Sequence, residues 1–486
     1  MIPWIVFAVG ACLRAAMMLN VKSLWGDEFY SLDYALGPEP WHVLRFCFSA
    51  NHPPVYYWFL RVSSQIFGES DIAFRLMSFI PGILMTPVVY ALAARLLDKR
   101  TALWAALFVA VSPYYLQMSN EVRSYSLVGL MTCVAWLCYL RVAESGASFA
   151  RKAAYVAAVS SMVYIEHIAM FPALAMMLWV FWKKPPLRRT QVLALGLMAP
   201  WAALMVYQAV YYENVLIVGR VMEYFRFGWQ LKKVAGIFWH MLGGYRYAMM
   251  TVPDILHSLR ADGAFIARGS AAFVFSILAI TGFVAMFREK GRAMKYAAGT
   301  FLIPFVIFLF LYPIRLDARY MTIGAPALFI ALAYAVSRLK PRLLSMAVGA
   351  LFILFSLGES AYAISLKTDV VHKEDLRGMI RYTLESADED TIVIMGKQEM
   401  EYYSRQLKMP IRAKVVESTD FLDKSGALPS AGKIWILKTV NMHPDVTERI
   451  VAEDAGYLVR LGFVPAGHKQ IGGENSLCIV YYFQRV

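Results

Sequence analysis

Apolar runs separated by short polar connections dominate the first three-quarters of the chain. They fall near 2–19, 72–94, 102–117, 124–140, 191–211, 270–287, 296–312, 320–337 and 342–361. Runs of about 20 apolar residues are long enough to cross a bilayer. The stretch 153–182 is also apolar, but Tyr164-Ile165-Glu166-His167 interrupts it and both of its ends are basic. A single tilted helix would put those ends on opposite sides of a membrane. Two short helices with Glu166-His167 at the tip keep them on one side, and this hairpin brings the expected spans to about eleven. From Lys367 the pattern changes. Thr391–Met395, Lys433–Leu437 and Leu477–Tyr481 are predicted strands, and Asp375–Leu384 and Val446–Leu461 predicted helices. That alternation suits a small α/β domain. The expected architecture is an α-helical polytopic membrane domain over 1–362 followed by an extracytoplasmic α/β domain over 363–486. Outward loops would lie at 20–71 and 212–269.

Charge tests this topology. Seventeen Lys and Arg residues fall in the even-numbered connections, for example Lys183, Lys184, Arg188 and Arg189, or Arg288, Lys290, Arg292 and Lys295. The short odd-numbered connections carry three, Arg123, Arg315 and Arg319. The positive-inside rule assigns the basic set to the cytoplasm. The N-terminus then faces the cytoplasm, while Asp27, Glu121, Glu166, His167 and the C-terminal domain face outward. The first segment lacks a basic n-region and a clear small-x-small cleavage site, so it is expected to remain as a span.

Composition agrees: 59% of residues are hydrophobic and 17% charged, against about 45–50% and 25% for soluble domains. The formal charge of +14 belongs largely to the short loops and implies no nucleic-acid partner. The five cysteines form no disulfide framework and no metal-type cluster. Walker, dinucleotide and HExxH motifs are absent.

The candidate chemistry collects on the outward side. Asp27-Glu28 opens the first loop, followed by His52-Pro53-Pro54 and the aromatic Tyr56, Tyr57 and Trp58. Carboxylates at the edge of a membrane bundle are functional candidates; the bland alternative is a pair of solvated loop acids. His52 either serves the site or only packs at a helix entry. Glu121, Arg123 and Tyr125 lie in a polar turn between two spans, and Glu166-His167 forms either a second polar group or a simple hairpin tip. Arg315-Leu316-Asp317-Ala318-Arg319-Tyr320 precedes a span. A planar, permanently charged guanidinium suits phosphate, although Arg at this depth also snorkels. Arg14, inside the first span, invites the same two readings. Trp239-His240 lies in the larger outward loop. Aromatic faces suit sugar rings, so these residues describe an outward cavity with a carboxylate base, basic phosphate clamps and aromatic walls.

At these residues the chain resembles the GT-C superfamily of membrane glycosyltransferases. Within it, the likeness is to bacterial relatives of protein O-mannosyltransferases and of the lipid A aminoarabinose transferase. The resemblance runs from about Arg14 to Tyr334. It is carried by Trp25-Gly26-Asp27-Glu28, His52-Pro53-Pro54-Val55-Tyr56-Tyr57, Gly68-x₆-Arg75, Ser112-Pro113, Glu121-Val122-Arg123-Ser124-Tyr125 and Ala318-Arg319-Tyr320. It implies transfer of a sugar from a polyprenyl-phosphate donor to a glycan, lipid or protein acceptor outside the cytoplasm. Asp27 matches the catalytic Asp of the first loop, with Glu28 beside it, and Glu121 matches the second acidic position. Arg123 and Arg319 match positions near the donor phosphate. Arg14, His52, Tyr56, Tyr57, Tyr125, His167 and Tyr320 complete the expected substrate-binding set. Where some relatives place a metal-binding carboxylate, this chain has Asn51. A divalent metal therefore stays open as a cofactor, with Glu121 and His240 as candidate ligands. The other classes are a secondary transporter, which should show inverted repeats and midplane charges, and a carrier-binding protein without transferase activity.

Overall fold

The computed structural model describes residues 2–20, 22–39, 41–50, 52–143, 148–183, 187–211, 227–243, 263–288, 291–310, 318–366, 375–417, 432–439, 454–471 and 478–485. These group into two compact units, Met1–Leu19 with Ser31–Ile364, and Asn20–Tyr30 with Ser365–Val486.

The first unit is helical, and the fold makes the chain a multi-pass membrane protein. Its first helices are α1 (Ile2–Leu19), α2 (Gly26–Ala35, which begins in the other unit), α3 (His42–Ala50), α4 (Val55–Phe67), α5 (Asp71–Leu96), α6 (Lys99–Val111) and α7 (Pro113–Met118). They are followed by α8 (Tyr125–Val142), α9 (Phe149–Ile165), α10 (Met170–Lys183), α11 (Arg188–Tyr211) and α12 (Phe227–Leu242). The last are α13 (Gly263–Arg288), α14 (Arg292–Ala297), α15 (Ile303–Phe310), α16 (Ala325–Arg338) and α17 (Arg342–Ser365). A π-helical segment, Ala298–Leu302, joins α14 to α15, and a 3₁₀ segment, Ala318–Ile323, precedes α16.

Six of these helices are long and apolar enough to cross a membrane among the described residues, and two shorter apolar helices, His167–Trp179 and Ala325–Arg338, accompany them. The expected count of about eleven is not confirmed by these described helices. Ser112-Pro113 cuts the run 102–117 into α6 and α7, with Ser112 Oγ accepting from Tyr115 N and Pro113 at the first helical position. The run 296–312 is broken by the π segment, and 320–337 is shortened by the 3₁₀ segment. The apolar stretch 153–182 does break at Glu166, where a 3₁₀ turn separates α9 from α10.

Small residues let helices approach closely in apolar surroundings. A Cβ on Gly282 would lie 1.9 Å from the Ala331 carbonyl oxygen, so α13 and α16 touch backbone to backbone. A Cβ on Gly324 would sit 2.6 Å from the Thr300 carbonyl oxygen and 3.0 Å from the Phe301 Cα. The end of the 3₁₀ segment therefore rests directly on the π segment.

The second unit carries a five-stranded sheet of order β2-β1-β3-β5-β4. Strands β1 (Thr391–Ile394), β2 (Lys414–Val416) and β3 (Lys433–Thr439) run parallel, and β5 (Cys478–Arg485) and β4 (Phe463–Ile471) extend the sheet antiparallel. Ile392, Ile394, Ile434, Ile436, Leu458, Phe463 and Phe483 form its core. Helices α18 (Leu376–Ser386) and α19 (Lys397–Leu407) pack together. The segment 20–30 is held here: Leu24 N donates to Tyr403 Oη at 2.8 Å, Arg377 N donates to Ser23 Oγ at 2.9 Å, and Phe29 meets Tyr402 and Tyr403 edge-on. Of the predicted helix Val446–Leu461, residues 454–460 are helical and 446–453 lie outside the described residues. Most of the loop 212–269 also lies outside them, as do Asn51, Arg315 and Asp317.

Candidate active site

Asp27 and Glu28 stand in the first turn of α2, where the helix dipole favours negative charge. They differ in environment. Glu28 is buried at 1% exposure and its Oε2 accepts from Trp25 N at 3.1 Å. Glu28 N in turn donates to Trp25 O at 2.9 Å. The carboxylate on the Trp25 N–H is the N3 half of a capping box, so Glu28 shapes the helix start and lies buried where an open acid was expected beside Asp27. Asp27 is half-exposed.

Within the helical unit, two arginines separated by almost two hundred residues bracket a pair of rings. The Arg123 guanidinium lies 5.6 Å over Tyr125, Tyr125 meets Tyr320 edge-on at 6.2 Å, and the Arg319 guanidinium lies 5.9 Å from the Tyr320 ring. Thr322 Oγ1 donates to Arg319 O, and Tyr114 Oη bonds both Thr322 Oγ1 and Ala318 O, which fixes the 3₁₀ segment. The Arg123 side chain reaches the Ser31 hydroxyl at 3.4 Å. Its carbonyl accepts from Ser78 Oγ, which also bonds the buried Tyr56 Oη at 3.0 Å. Tyr56 thereby supports the Arg123 turn from beneath.

Beside this lies an aromatic group. Tyr57 stacks on Tyr34 at 4.7 Å, and His52 meets Tyr34 and Tyr57 edge-on at 5.1 and 6.1 Å. Burial, with the Arg123 charge and His167 in support, pushes His52 down to about 3. His52 is therefore neutral at ordinary pH. Glu166 is drawn into the same neighbourhood. Its Oε2 accepts from Ser124 Oγ at 2.5 Å and its Oε1 from His167 N at 3.2 Å. Burial raises its carboxyl above the usual range, against the opposing pull of the Ser124 hydrogen bond and the Arg123 charge. His167 stacks on Trp201 at 6.0 Å.

Glu121 is buried and its Oε1 accepts from Gln117 Nε2 at 2.6 Å, while Gln117 Oε1 faces His240 Nε2 at 3.1 Å. The two candidate metal ligands thus meet through an amide and do not face a common centre. No group of three His, Cys, Asp or Glu converges among the described residues. As placed, these side chains do not fit a metal ion, and no step is derived through one. Sequence reasoning missed Gln117, although its i, i+4 spacing to Glu121 was the available signal.

Arg14 stands apart. It is fully buried and donates to Ser119 Oγ, Gly10 O, Ala110 O and Val109 O at 3.0–3.1 Å. The helical partner of the Val109 carbonyl would be the nitrogen of Pro113, which has no hydrogen. Arg14 supplies that missing donor at the end of α6, so the residue expected at the substrate is a brace between helices.

Comparison with known proteins agrees with this fold. Residues 51–212, about a third of the chain, match the family model described as dolichyl-phosphate-mannose-protein mannosyltransferase. No curated protein matches the sequence significantly. Among solved structures, ArnT from Cupriavidus metallidurans in the apo state is 14% identical, with a TM-score of 0.55 over 99% of this chain and 97% of that one. The same protein bound to undecaprenyl phosphate is 15% identical, with a TM-score of 0.55 over 98% of each chain. The Archaeoglobus fulgidus oligosaccharyltransferase is 13% identical, with a TM-score of 0.51 over 97% of this chain and 73% of that one. The chain resembles the GT-C membrane glycosyltransferases in fold along its whole length.

Proposed function

We propose that the protein is a glycosyltransferase that moves a sugar from a polyprenyl-phosphate donor to an acceptor hydroxyl at the extracytoplasmic face of a bacterial inner membrane. The observation that carries this reading is the Arg123–Tyr125–Tyr320–Arg319 arrangement. It offers two permanent cations to a phosphate and two ring faces to a saccharide or prenyl group. The mannosyltransferase family model covers Arg123, Tyr125, His52, Tyr57 and His167. One fold relative has been solved with undecaprenyl phosphate bound, which supports a lipid phosphate as the donor's leaving group.

In this mechanism the acceptor oxygen attacks the anomeric carbon on the face opposite the phosphate. The bond from that carbon to the phosphate oxygen breaks, and configuration inverts. The Asp27 carboxylate takes the hydroxyl proton as the new bond forms. The departing lipid phosphate gains negative charge, which Arg123 and Arg319 stabilise where it develops. Neutral His52, with Tyr57 and His167, borders the sugar. Glu121, oriented by Gln117, serves the acceptor side.

The test uses purified protein and a polyprenyl-phosphate-sugar donor. Asp27→Asn should fold and insert normally while transfer falls by about 10²–10⁴, the usual worth of a positioned base. Near-normal turnover would remove Asp27 from the role.

A further inference from the structure

At the far end of α13 from its start at Gly263, a cavity of about 600 Å³ opens among apolar side chains. That size lies within the ~300–1,000 Å³ typical of ligand sites. Its walls are Phe238 from α12, Phe283 and Phe287 from α13, and Phe301, Leu302 and Phe305 from the π segment and α15. Phe301 stacks on Phe283 at 5.1 Å and on Phe305 at 5.6 Å, while Phe238 meets both Phe301 and Phe305 edge-on. The π segment is part of the reason for the space. Its extra residue per turn displaces the regular i, i+4 packing, and such turns gather at functional positions.

The one charged group in this lining is Arg288 at the end of α13. It is exposed and has no hydrogen bond or ion pair among the described residues. An apolar chamber with an unneutralised cation at its mouth fits an amphiphile with a hydrocarbon chain and an anionic head. The adjoining sequence adds Arg292 and Lys295, so the rim belongs to a basic connection that attracts anionic lipid headgroups. Arg288 ends α13, about 39 Å along the helix from Gly263 at 1.5 Å per residue, while the inner wall at Phe301 meets Gly324, just after the 3₁₀ segment that bears Arg319.

We propose that this cavity is a binding site for an anionic phospholipid, with one acyl chain lying against Phe238, Phe287 and Phe305 and the headgroup phosphate on Arg288. The occupant is a resident of the leaflet at the basic end. The sugar carrier, whose phosphate is needed at Arg123 and Arg319, is a different lipid.

Native mass spectrometry of the full-length protein in detergent, given phosphatidylglycerol or phosphatidylcholine, tests this. Wild type should retain phosphatidylglycerol in preference. Arg288→Gln should reduce that preference about fivefold, the worth of one basic residue at an anionic surface. Val284→Trp, at a half-exposed position on the cavity wall, should fill the groove and lose both lipids while keeping the wild-type melting temperature. Should Val284→Trp fail to accumulate, Ile280→Trp on the same wall takes its place. Equal retention of the two lipids by wild type overturns the proposal, as does undiminished phosphatidylglycerol binding in the Trp variant. Displacement by equimolar undecaprenyl phosphate would also overturn it, giving the cavity to the carrier.

Discussion

Arg14 and Arg123 both belong to the helical unit, yet their surroundings make them different objects. Arg14 is fully buried, with its donors committed to carbonyl oxygens and one hydroxyl. Arg123 is half-exposed, rests over the Tyr125 ring and reaches Ser31 at a long 3.4 Å. A buried cation in a membrane bundle is a functional candidate by default, but the distinction lies in what it bonds. Backbone carbonyls that have lost their helical donors make an arginine part of the framework. A ring face and a hydroxyl at a half-open turn give Arg123 a setting of another kind.

This contrast can be broken by substitution. Arg14→Met should give the largest loss of stability, since it strands the Val109 and Ala110 carbonyls. Each buried acceptor left without its donor costs on the order of 1–3 kcal/mol. Thermal unfolding in detergent should show a collapse of the melting transition, with activity lost only because folded protein is lost. Arg123→Gln should do the reverse, cutting transfer by about 10²–10³, as the removal of one donor to a developing oxyanion does, with little change in melting. If Arg123→Gln unfolds the protein, or Arg14→Met leaves it stable but inactive, the assignment is inverted.

A smaller effect should come from pH. His52 is held at about 3 against an ordinary 6.5, so in that window the unfolded chain binds a proton that the folded chain rejects. Its contribution to stability is whole above 6.5 and drains away as pH falls toward 3. His52→Gln should flatten the melting temperature across that window relative to wild type. The smallest change should be Glu166→Gln. The amide oxygen still accepts from Ser124, so the melting temperature should shift by the equivalent of about 1 kcal/mol or less.

Much of this site was legible because its chemistry is local in sequence. The Pro53-Pro54 helix entry and the Arg123–Tyr125 turn appear in residue types that admit few alternatives, whereas the run 102–117 reads as continuous and breaks at Ser112-Pro113. What was hidden depends on distance. The burial of Arg14 against Pro113 needs two helices brought together. The capping role of Glu28 is written in its three-residue spacing from Trp25, but a catalytic reading of the Asp-Glu pair obscured it. In the second unit, β4 carries Gly467, His468, Lys469 and Gln470 and is largely exposed, so no hydrophobic alternation marks it as a strand. Its register comes from β5. Helix α19 was missed because its apolar face amounts to little more than Met400, Tyr402 and Tyr403 on a charged background. The π segment has no residue signature at all, since an added residue in a helical turn is a response to packing.

The contact at Gly324 joins the cavity wall to the segment that bears Arg319. With bare backbone against bare backbone, the joint between Thr300–Phe301 and the turn bearing Arg319 has no side chain to act as a cushion. The Thr300 carbonyl and the Phe301 Cα therefore fix how closely the turn after Arg319 can approach. Even a single methyl group at Gly324 would have to push that turn off the π segment.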